Sequence, residues 1–217
     1  MVRRGRAGAA LIARTWFAVT ALVVLIGLVV QISAAIDQKA GHFRSTHAKV
    51  FNVFCFFTIQ SNVLVMVTCA LLALGLHRRS TLFWVLRLDG VVCIVVTFVV
   101  FHVALSGLRE LSGKDAVADF LLHTASPVLA FVGWLIFGPR GRVSARVVRL
   151  AVVFPVAWLV FTLVRGPIVD FYPYPFLDVD EHGYPRVLLN CALVAVFFVG
   201  LLAVAHVADK KLPRLMH

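Results

Sequence analysis

Six apolar stretches, each long enough to cross a lipid bilayer as a helix, take up most of this chain. The hydrocarbon core of a bilayer is about 30 Å thick, and a helix crosses it in about 20 residues. The predicted spans cover residues 12–36, 50–76, 82–108, 116–137, 148–167 and 187–207. The sequence therefore predicts an all-α fold, a polytopic membrane protein built as a bundle of six transmembrane helices. Residues 1–217 are predicted to form a single domain, because no stretch is left for a soluble one.

The composition excludes a soluble globular protein. Hydrophobic residues make up 61% of the 217 residues, and the mean hydropathy is +0.96. A soluble domain of this size would have to expose many of these side chains to water. The four cysteines fall inside predicted spans without paired spacing, so the sequence predicts no disulfide framework, no metal site and no cofactor. They are Cys55, Cys69, Cys93 and Cys191.

The net charge of +11 follows the sides of the membrane, which argues against a nucleic-acid partner. With the N-terminus in the cytoplasm, fourteen of the 21 Lys and Arg residues fall inside and seven of the ten acidic residues outside. This satisfies the positive-inside rule and presents a basic face to anionic inner-leaflet lipids. We therefore expect a cell-membrane protein with both termini in the cytoplasm. The predicted cytoplasmic set is Arg3, Arg4, Arg6, Arg14, Arg78, Arg79, Arg87, Arg140, Arg142, Arg146, Arg149, Lys210, Lys211 and Arg214.

The N-terminus also resembles a secretory signal. Arginines precede the first apolar stretch, and Ser33-Ala34-Ala35 resembles a cleavage site. The apolar core of a signal is usually about 7–15 residues long. Because this one has roughly 24 residues, we interpret it as a retained transmembrane helix.

Polar side chains inside the predicted spans indicate a site, because they are expensive in lipid unless they are satisfied. Thr58, Ser61 and Asn62 share one face of the second span, and Asp119 and His123 lie four residues apart on the fourth. Counting about 1.5 Å per residue, we expect Thr58 and His123 at the same depth, roughly 10–12 Å below the outer ends of their helices.

Further polar residues extend this pattern. His102 on the third span and Arg165 on the fifth are predicted near the same level, which gives a polar cavity that opens outward. In the inner half of the third span, Arg87 and Asp89 are expected to form an ion pair or to snorkel to the interface.

These residue types suit nucleophilic catalysis. A histidine can take the proton of a threonine hydroxyl, and a carboxylate can orient that histidine. Thr58, His123 and Asp119 supply these three groups. Ser61 and Asn62 are candidates for stabilising an oxyanion, and Arg165 for binding a substrate carboxylate. His102 would complete the substrate-binding set.

Two other interpretations use the same residues. Ser, Thr and Asn side chains often join membrane helices by hydrogen bonds, which would suit a non-enzymatic lipid-binding or transport-related bundle. His102 and His123, at similar depth on neighbouring helices, are also the residue type that ligates a haem.

Three local strings resemble the androgen-induced transmembrane hydrolases. They are Phe57-Thr58, then His123-Thr124 with Pro127 after it, and Tyr174-Pro175-Phe176-Leu177-Asp178. The stretch from Phe57 to Asn62 is also similar to the Pr-six-Pr family of bacterial six-helix membrane proteins. The resemblance implies a membrane enzyme that cleaves fatty acid esters of hydroxy fatty acids, with the catalytic threonine and histidine at Thr58 and His123. It implies a fatty acyl ester substrate, reached from the lipid bilayer.

Overall fold

The computed structural model describes residues 2–39, 41–76, 80–108 and 110–212, without the side chains of residues 2–7. Within this part of the chain every regular element is helical. The α-helices are α1 (Val2–Asp37), α2 (Thr46–Cys55), α3 (Phe57–Ala73), α4 (Thr81–Val100), α5 (Gly113–Phe120), α6 (Ser126–Phe137), α7 (Ala145–Ala151), α8 (Val153–Val169) and α9 (Val179–Lys211). A π-helical turn, Phe101–Leu105, continues α4, and a second, Leu121–Ala125, joins α5 to α6.

Five stretches of helix are long and apolar enough to cross a membrane. They are Gly8–Asp37, Thr81–Leu105, Gly113–Phe137, Ala145–Val169 and Val179–Lys211. Helices α2 and α3 meet the same criterion only as a pair, bent by 74°, which makes six spans if the pair is counted as one. The outer faces of α8 and α9 carry exposed apolar side chains, among them Val160, Leu193 and Val196. The architecture is therefore that of an all-helical, membrane-embedded protein.

The second predicted span is broken at Phe56, where the sequence predicts a continuous helix over residues 50–76. Phe56 has an extended backbone, and its carbonyl accepts hydrogen bonds from the N–H groups of Ile59 and Gln60 at the start of α3. In an unbroken helix the carbonyl of Phe54 would accept from the N–H of Thr58. Here the side-chain amide of Gln60 donates to that carbonyl instead (2.9 Å). Thr58 consequently lies in the first turn of α3.

Helix α4 is the centre of the structure. It packs against α3, α6, α7 and α9, while α1 packs against α3, α5 and α6. In the most apolar 18-residue stretch of α4 and its π-helical turn, 50% of the residues are buried. In the corresponding stretch of α9, 17% are buried. Gly90 lets α3 approach α4 closely, since a Cβ at this position would lie 3.2 Å from the backbone nitrogen of Val65. Helices α8 and α9 therefore form a more loosely packed side of the protein.

The two ends of the helix bundle differ in charge. Helices α3, α6 and α9 terminate at one end of the bundle, which we call the basic end. Arg14 of α1 donates to the carbonyl of Ala73 at this end. Asp209 of α9 accepts from the N–H of Val143 at the same end. Of the predicted cytoplasmic set, Arg78, Arg79 and Arg214 and the side chains of Arg3, Arg4 and Arg6 lie outside the described residues. At the opposite end Lys114 pairs with Asp37 (2.5 Å).

Arg87 and Asp89 are not arranged as the sequence predicts. Arg87 is 3% exposed and Asp89 1% exposed, so neither side chain snorkels to the surface. Among the described residues, the ion pairs are Lys114–Asp37 and His123–Asp119, which leaves Arg87 and Asp89 unpaired with each other. The physical reason is the helical period, because residues two apart on α4 face different neighbours.

Candidate functional site

An apolar cavity of about 170 Å³ lies between α4, α8 and α9. The start of α3 and the 3₁₀ turn Pro175–Leu177 also contribute to its walls. Most of the lining is aliphatic or aromatic, which suits a hydrocarbon chain. Six lining side chains carry polar or sulfur atoms: Thr58, Thr97, His123, Trp158, Tyr174 and Cys191.

Thr58 is held at the cavity by Tyr174. The backbone N–H of Thr58 donates to the hydroxyl oxygen of Tyr174 (3.1 Å), and the Thr58 Oγ1 lies 3.1 Å from the same oxygen. Because that oxygen accepts from the N–H, the Tyr174 O–H is available to donate to Oγ1. Burial raises the pKa of the Tyr174 hydroxyl, so it remains a neutral donor. The Thr58 hydroxyl can therefore accept this hydrogen bond, and its own O–H proton is not needed for the contact.

Tyr174 reaches Thr58 because the segment between α8 and α9 folds into the protein. Its ring stacks on Phe176 (5.5 Å between ring centroids) and lies edge-on to Phe56 (5.8 Å). Asn190 anchors the segment by donating to the carbonyl of Phe176 (2.9 Å). Tyr174 was not predicted as a site residue from the sequence; the alternation of tyrosine and proline from Tyr172 onward was the available signal.

His123 lies on the π-helical turn and is oriented by Asp119. The Nδ1 of His123 is 3.0 Å from the carboxylate oxygen Oδ1 of Asp119, and the two side chains are only 19% and 24% exposed. The ring stacks on Phe101, with 4.2 Å between centroids and 16° between planes. The Nε2 of His123 makes no hydrogen bond to any described residue. This nitrogen is therefore available to a group in the cavity.

Thr58 and His123 line the same cavity but are not hydrogen-bonded to each other. Within the described residues, the Thr58 hydroxyl is bonded to Tyr174 and His123 is bonded to Asp119. The contact between nucleophile and base that acyl transfer needs is thus not formed in this conformation. Such contacts are often long or misaligned without substrate and tighten when it binds.

Asn62 fixes the spacing between these two residues. It is fully buried, and its side-chain N–H groups donate to the carbonyls of Thr58 (2.9 Å) and Leu122 (3.1 Å). Its amide oxygen accepts from Ser126. Asn62 therefore joins the first turn of α3 to the turn that carries His123. Neither Asn62 nor the fully buried Ser61 lines the cavity, so neither is positioned to contact a substrate there.

Arg165 and His102 lie outside the cavity lining. Arg165 donates to the side-chain oxygen of Asn52 (3.0 Å) and lies over the ring of Phe43, so it joins α8 to the α2 region. The Nδ1 of His102 bonds to the Phe98 carbonyl (2.9 Å), and its Nε2 lies 3.4 Å from the Thr124 hydroxyl. The interpretation of His102 and His123 as haem ligands stays a prediction. The described residues contain no cluster of three His, Cys, Asp or Glu side chains that could hold a metal ion.

The chain matches no family model, no curated protein and no solved structure. The resemblance to the androgen-induced hydrolases and to the Pr-six-Pr family therefore stays a prediction. The geometry of the cavity and of its polar side chains is the basis for any functional assignment.

Replacing Tyr174 by phenylalanine should destabilise the protein. The substitution removes the partner of the Thr58 N–H and leaves that group buried in an apolar region, at a cost of about 1–3 kcal/mol. Thermal unfolding of the detergent-purified protein would measure the loss. The matched control is Tyr172→Phe in the same segment, because the Tyr172 hydroxyl is buried without a hydrogen-bond partner among the described residues. Equal melting temperatures for the two variants would show that the Thr58–Tyr174 contact does not stabilise the fold.

Proposed function

We propose that the chain is a six-span protein of the cell membrane with both termini in the cytoplasm. The bent pair α2–α3 would then be the second span. This proposal is supported by the separation of charge, since Arg14, Arg140 and Arg142 belong to the basic end while Lys114 at the opposite end is neutralised by Asp37.

We further propose that the cavity binds a fatty acyl ester and that the protein hydrolyses it. One observation carries this proposal: Thr58 and His123 both open into a single apolar cavity. The acyl chain would occupy the apolar part, and the ester would lie where Thr58, Tyr174 and His123 face the cavity. The substrate would enter from the lipid bilayer, which surrounds the loosely packed helices α8 and α9.

In the proposed reaction, Thr58 is the nucleophile. The Nε2 of His123 takes the hydroxyl proton as Oγ1 attacks the ester carbonyl, while Asp119 stabilises the imidazolium through Nδ1. The tetrahedral intermediate collapses to an acyl-threonine, and His123 returns the proton to the departing alkoxide. Water, activated by His123, then hydrolyses the acyl-threonine to fatty acid and restores Thr58. The N-terminus of α3 favours negative charge near Thr58 through its helix dipole.

A second candidate is an acyl-binding protein without turnover. It is favoured by one specific observation, the engagement of the Thr58 hydroxyl by Tyr174 rather than by His123. In that case the polar groups of the cavity would only position the head of the bound molecule.

The proposed topology can be measured by cysteine labelling in intact cells. Ser112 and Ala145 are exposed and flank the helical stretch Gly113–Phe137 on its two sides. In a Cys191→Ala background, a membrane-impermeant maleimide should label Ser112→Cys from outside and Ala145→Cys only after permeabilisation. Labelling of both from the same side would contradict the span, and the reverse pattern would contradict the orientation.

Hydrolysis should depend on Thr58 and His123. With a fatty acid ester of a hydroxy fatty acid as substrate, Thr58→Ala and His123→Ala should each lower kcat/KM by about 10²–10⁴-fold, the usual contribution of positioned proton transfer. Thr162→Ala is the matched control, because Thr162 is buried in α8 but does not line the cavity. Fatty acid release by the purified protein would be followed by mass spectrometry.

Three results can be distinguished in this experiment. Loss of activity in the two site variants with retention in Thr162→Ala supports the hydrolase. A wild-type protein that binds a labelled acyl ester but never releases fatty acid supports the binding protein. Unchanged turnover in Thr58→Ala would exclude Thr58 as the nucleophile.

Filling the cavity should block acyl binding. Ala195 of α9 lines the cavity, so Ala195→Phe places a ring in the space of the acyl chain and should weaken binding by roughly tenfold or more, as overpacking of 1–3 kcal/mol implies. Equilibrium binding of a fluorescent fatty acyl ester would measure this change. Ala203→Phe adds the same ring to an exposed position of α9 and should bind normally. Equal binding by both variants would place the acyl chain outside this cavity.

A further inference from the structure

A second, smaller cavity lies at the basic end and is surrounded by arginines and tryptophans. It measures about 10 Å³ and is lined by Trp84, Arg87 and Leu88 of α4, Trp134 of α6, and Pro139, Arg142 and Val143 of the following segment. A space of this size admits about one water-sized atom. It is separate from the acyl cavity, with which it shares no lining residue.

Arg87 has no counter-charge. Its Nη1 donates to the sulfur of Cys69 (3.2 Å), while Nε and Nη2 have no hydrogen-bond partner among the described residues. All ten acidic side chains belong to the described residues, and none of them lies within salt-bridge distance of Arg87. The guanidinium also lies over the ring of Phe17 (5.3 Å to the centroid). A buried guanidinium without a carboxylate partner is unfavourable, because one sulfur and one ring replace only part of its lost hydration. A ligand that supplies negative charge would relieve this cost.

Two further arginines add to the positive charge at this place. Arg142 is exposed, and its guanidinium lies over the ring of Trp84 (5.2 Å to the centroid). Arg140 lies over Trp134 (4.9 Å) and has two nitrogens without a partner in the described part of the chain. Asp209 is the nearby acid: one carboxylate oxygen accepts from Val143, and its charge acts on Arg140. The described lining of the cavity itself contains two arginines, Arg87 and Arg142, and no acidic side chain.

We propose that this cavity binds one phosphate group, with an oxygen inserted toward Arg87 and the remainder of the group held at the mouth by Arg142. Guanidinium groups match phosphate oxygens in geometry and charge. Trp84 and Trp134 are the residue type that occupies the headgroup level of a membrane. Arg87 lies six residues into α4, roughly 9 Å along the helix. The phosphate is therefore that of an anionic phospholipid headgroup or a free phosphate ion, and both present the same chemistry.

Native mass spectrometry of the full chain in neutral detergent can test this site. The probes are phosphatidylglycerol, phosphatidylcholine with the same acyl chains, and inorganic phosphate. We expect one phosphatidylglycerol molecule to bind at least tenfold more tightly than phosphatidylcholine, since a hydrogen bond to a charged group contributes about 1.5–3 kcal/mol. Arg87→Gln and Arg142→Gln should each weaken phosphatidylglycerol binding by about tenfold. The matched control is Arg146→Gln, an exposed arginine of α7 that does not line the cavity.

The outcomes separate the source of the phosphate from the existence of the site. Displacement of the lipid by inorganic phosphate would identify a general phosphate site, whereas selective lipid binding without displacement would identify a headgroup site. Equal weakening by Arg142→Gln and Arg146→Gln, or no preference for phosphatidylglycerol, would overturn the proposal. If Arg87→Gln does not fold, the exposed Arg142 decides the result, because its substitution leaves the core unchanged.

Discussion

The candidate site depends on one exchange of hydrogen bonds at the break between α2 and α3. In a membrane every backbone N–H and C=O needs a partner within the protein. The break at Phe56 removes the helical bond between the N–H of Thr58 and the carbonyl of Phe54. Tyr174 replaces the acceptor for Thr58, and Gln60 replaces the donor for Phe54. These two contacts replace the helical hydrogen bond lost at the bend, which turns the first turn of α3 toward the cavity.

The same exchange links three parts of the chain that are distant in sequence. Tyr174 comes from the segment between α8 and α9, and Trp158 of α8 donates to the carbonyl of Cys55 at the end of α2 (2.9 Å). Asn62 continues the link from α3 to the turn of His123. Helices α8 and α9 are thus attached at this end, while the space between them and α4 stays open as the larger cavity. Loosely packed walls and a polar end fixed by hydrogen bonds are the features that would suit the long, flexible ligand proposed for it.

Much of the helical architecture was predictable, because the thickness of the bilayer sets the length of each apolar stretch. The site was less predictable. Depth counted along straight helices cannot anticipate a break at Phe56, where neither proline nor glycine marks the position. The spacing of Asp119 and His123 indicated their contact, because four residues make one helical turn. Arg165 does not line the cavity because Asn52 of α2 and Phe43 before it hold its side chain elsewhere. The sequence did not reveal the direction of α2.

Asn62 and the polar atoms beside the two cavities differ in how far their hydrogen bonds are satisfied. Asn62 is completely buried and bonded on both sides, which makes it part of the scaffold. Beside the larger cavity, the Nε2 of His123 and the buried hydroxyl of Thr97 have no hydrogen-bond partner among the described residues. Two nitrogens of Arg87 likewise have none beside the smaller cavity. A membrane interior provides no water to such groups, so these are the atoms that the proposed ligands would satisfy.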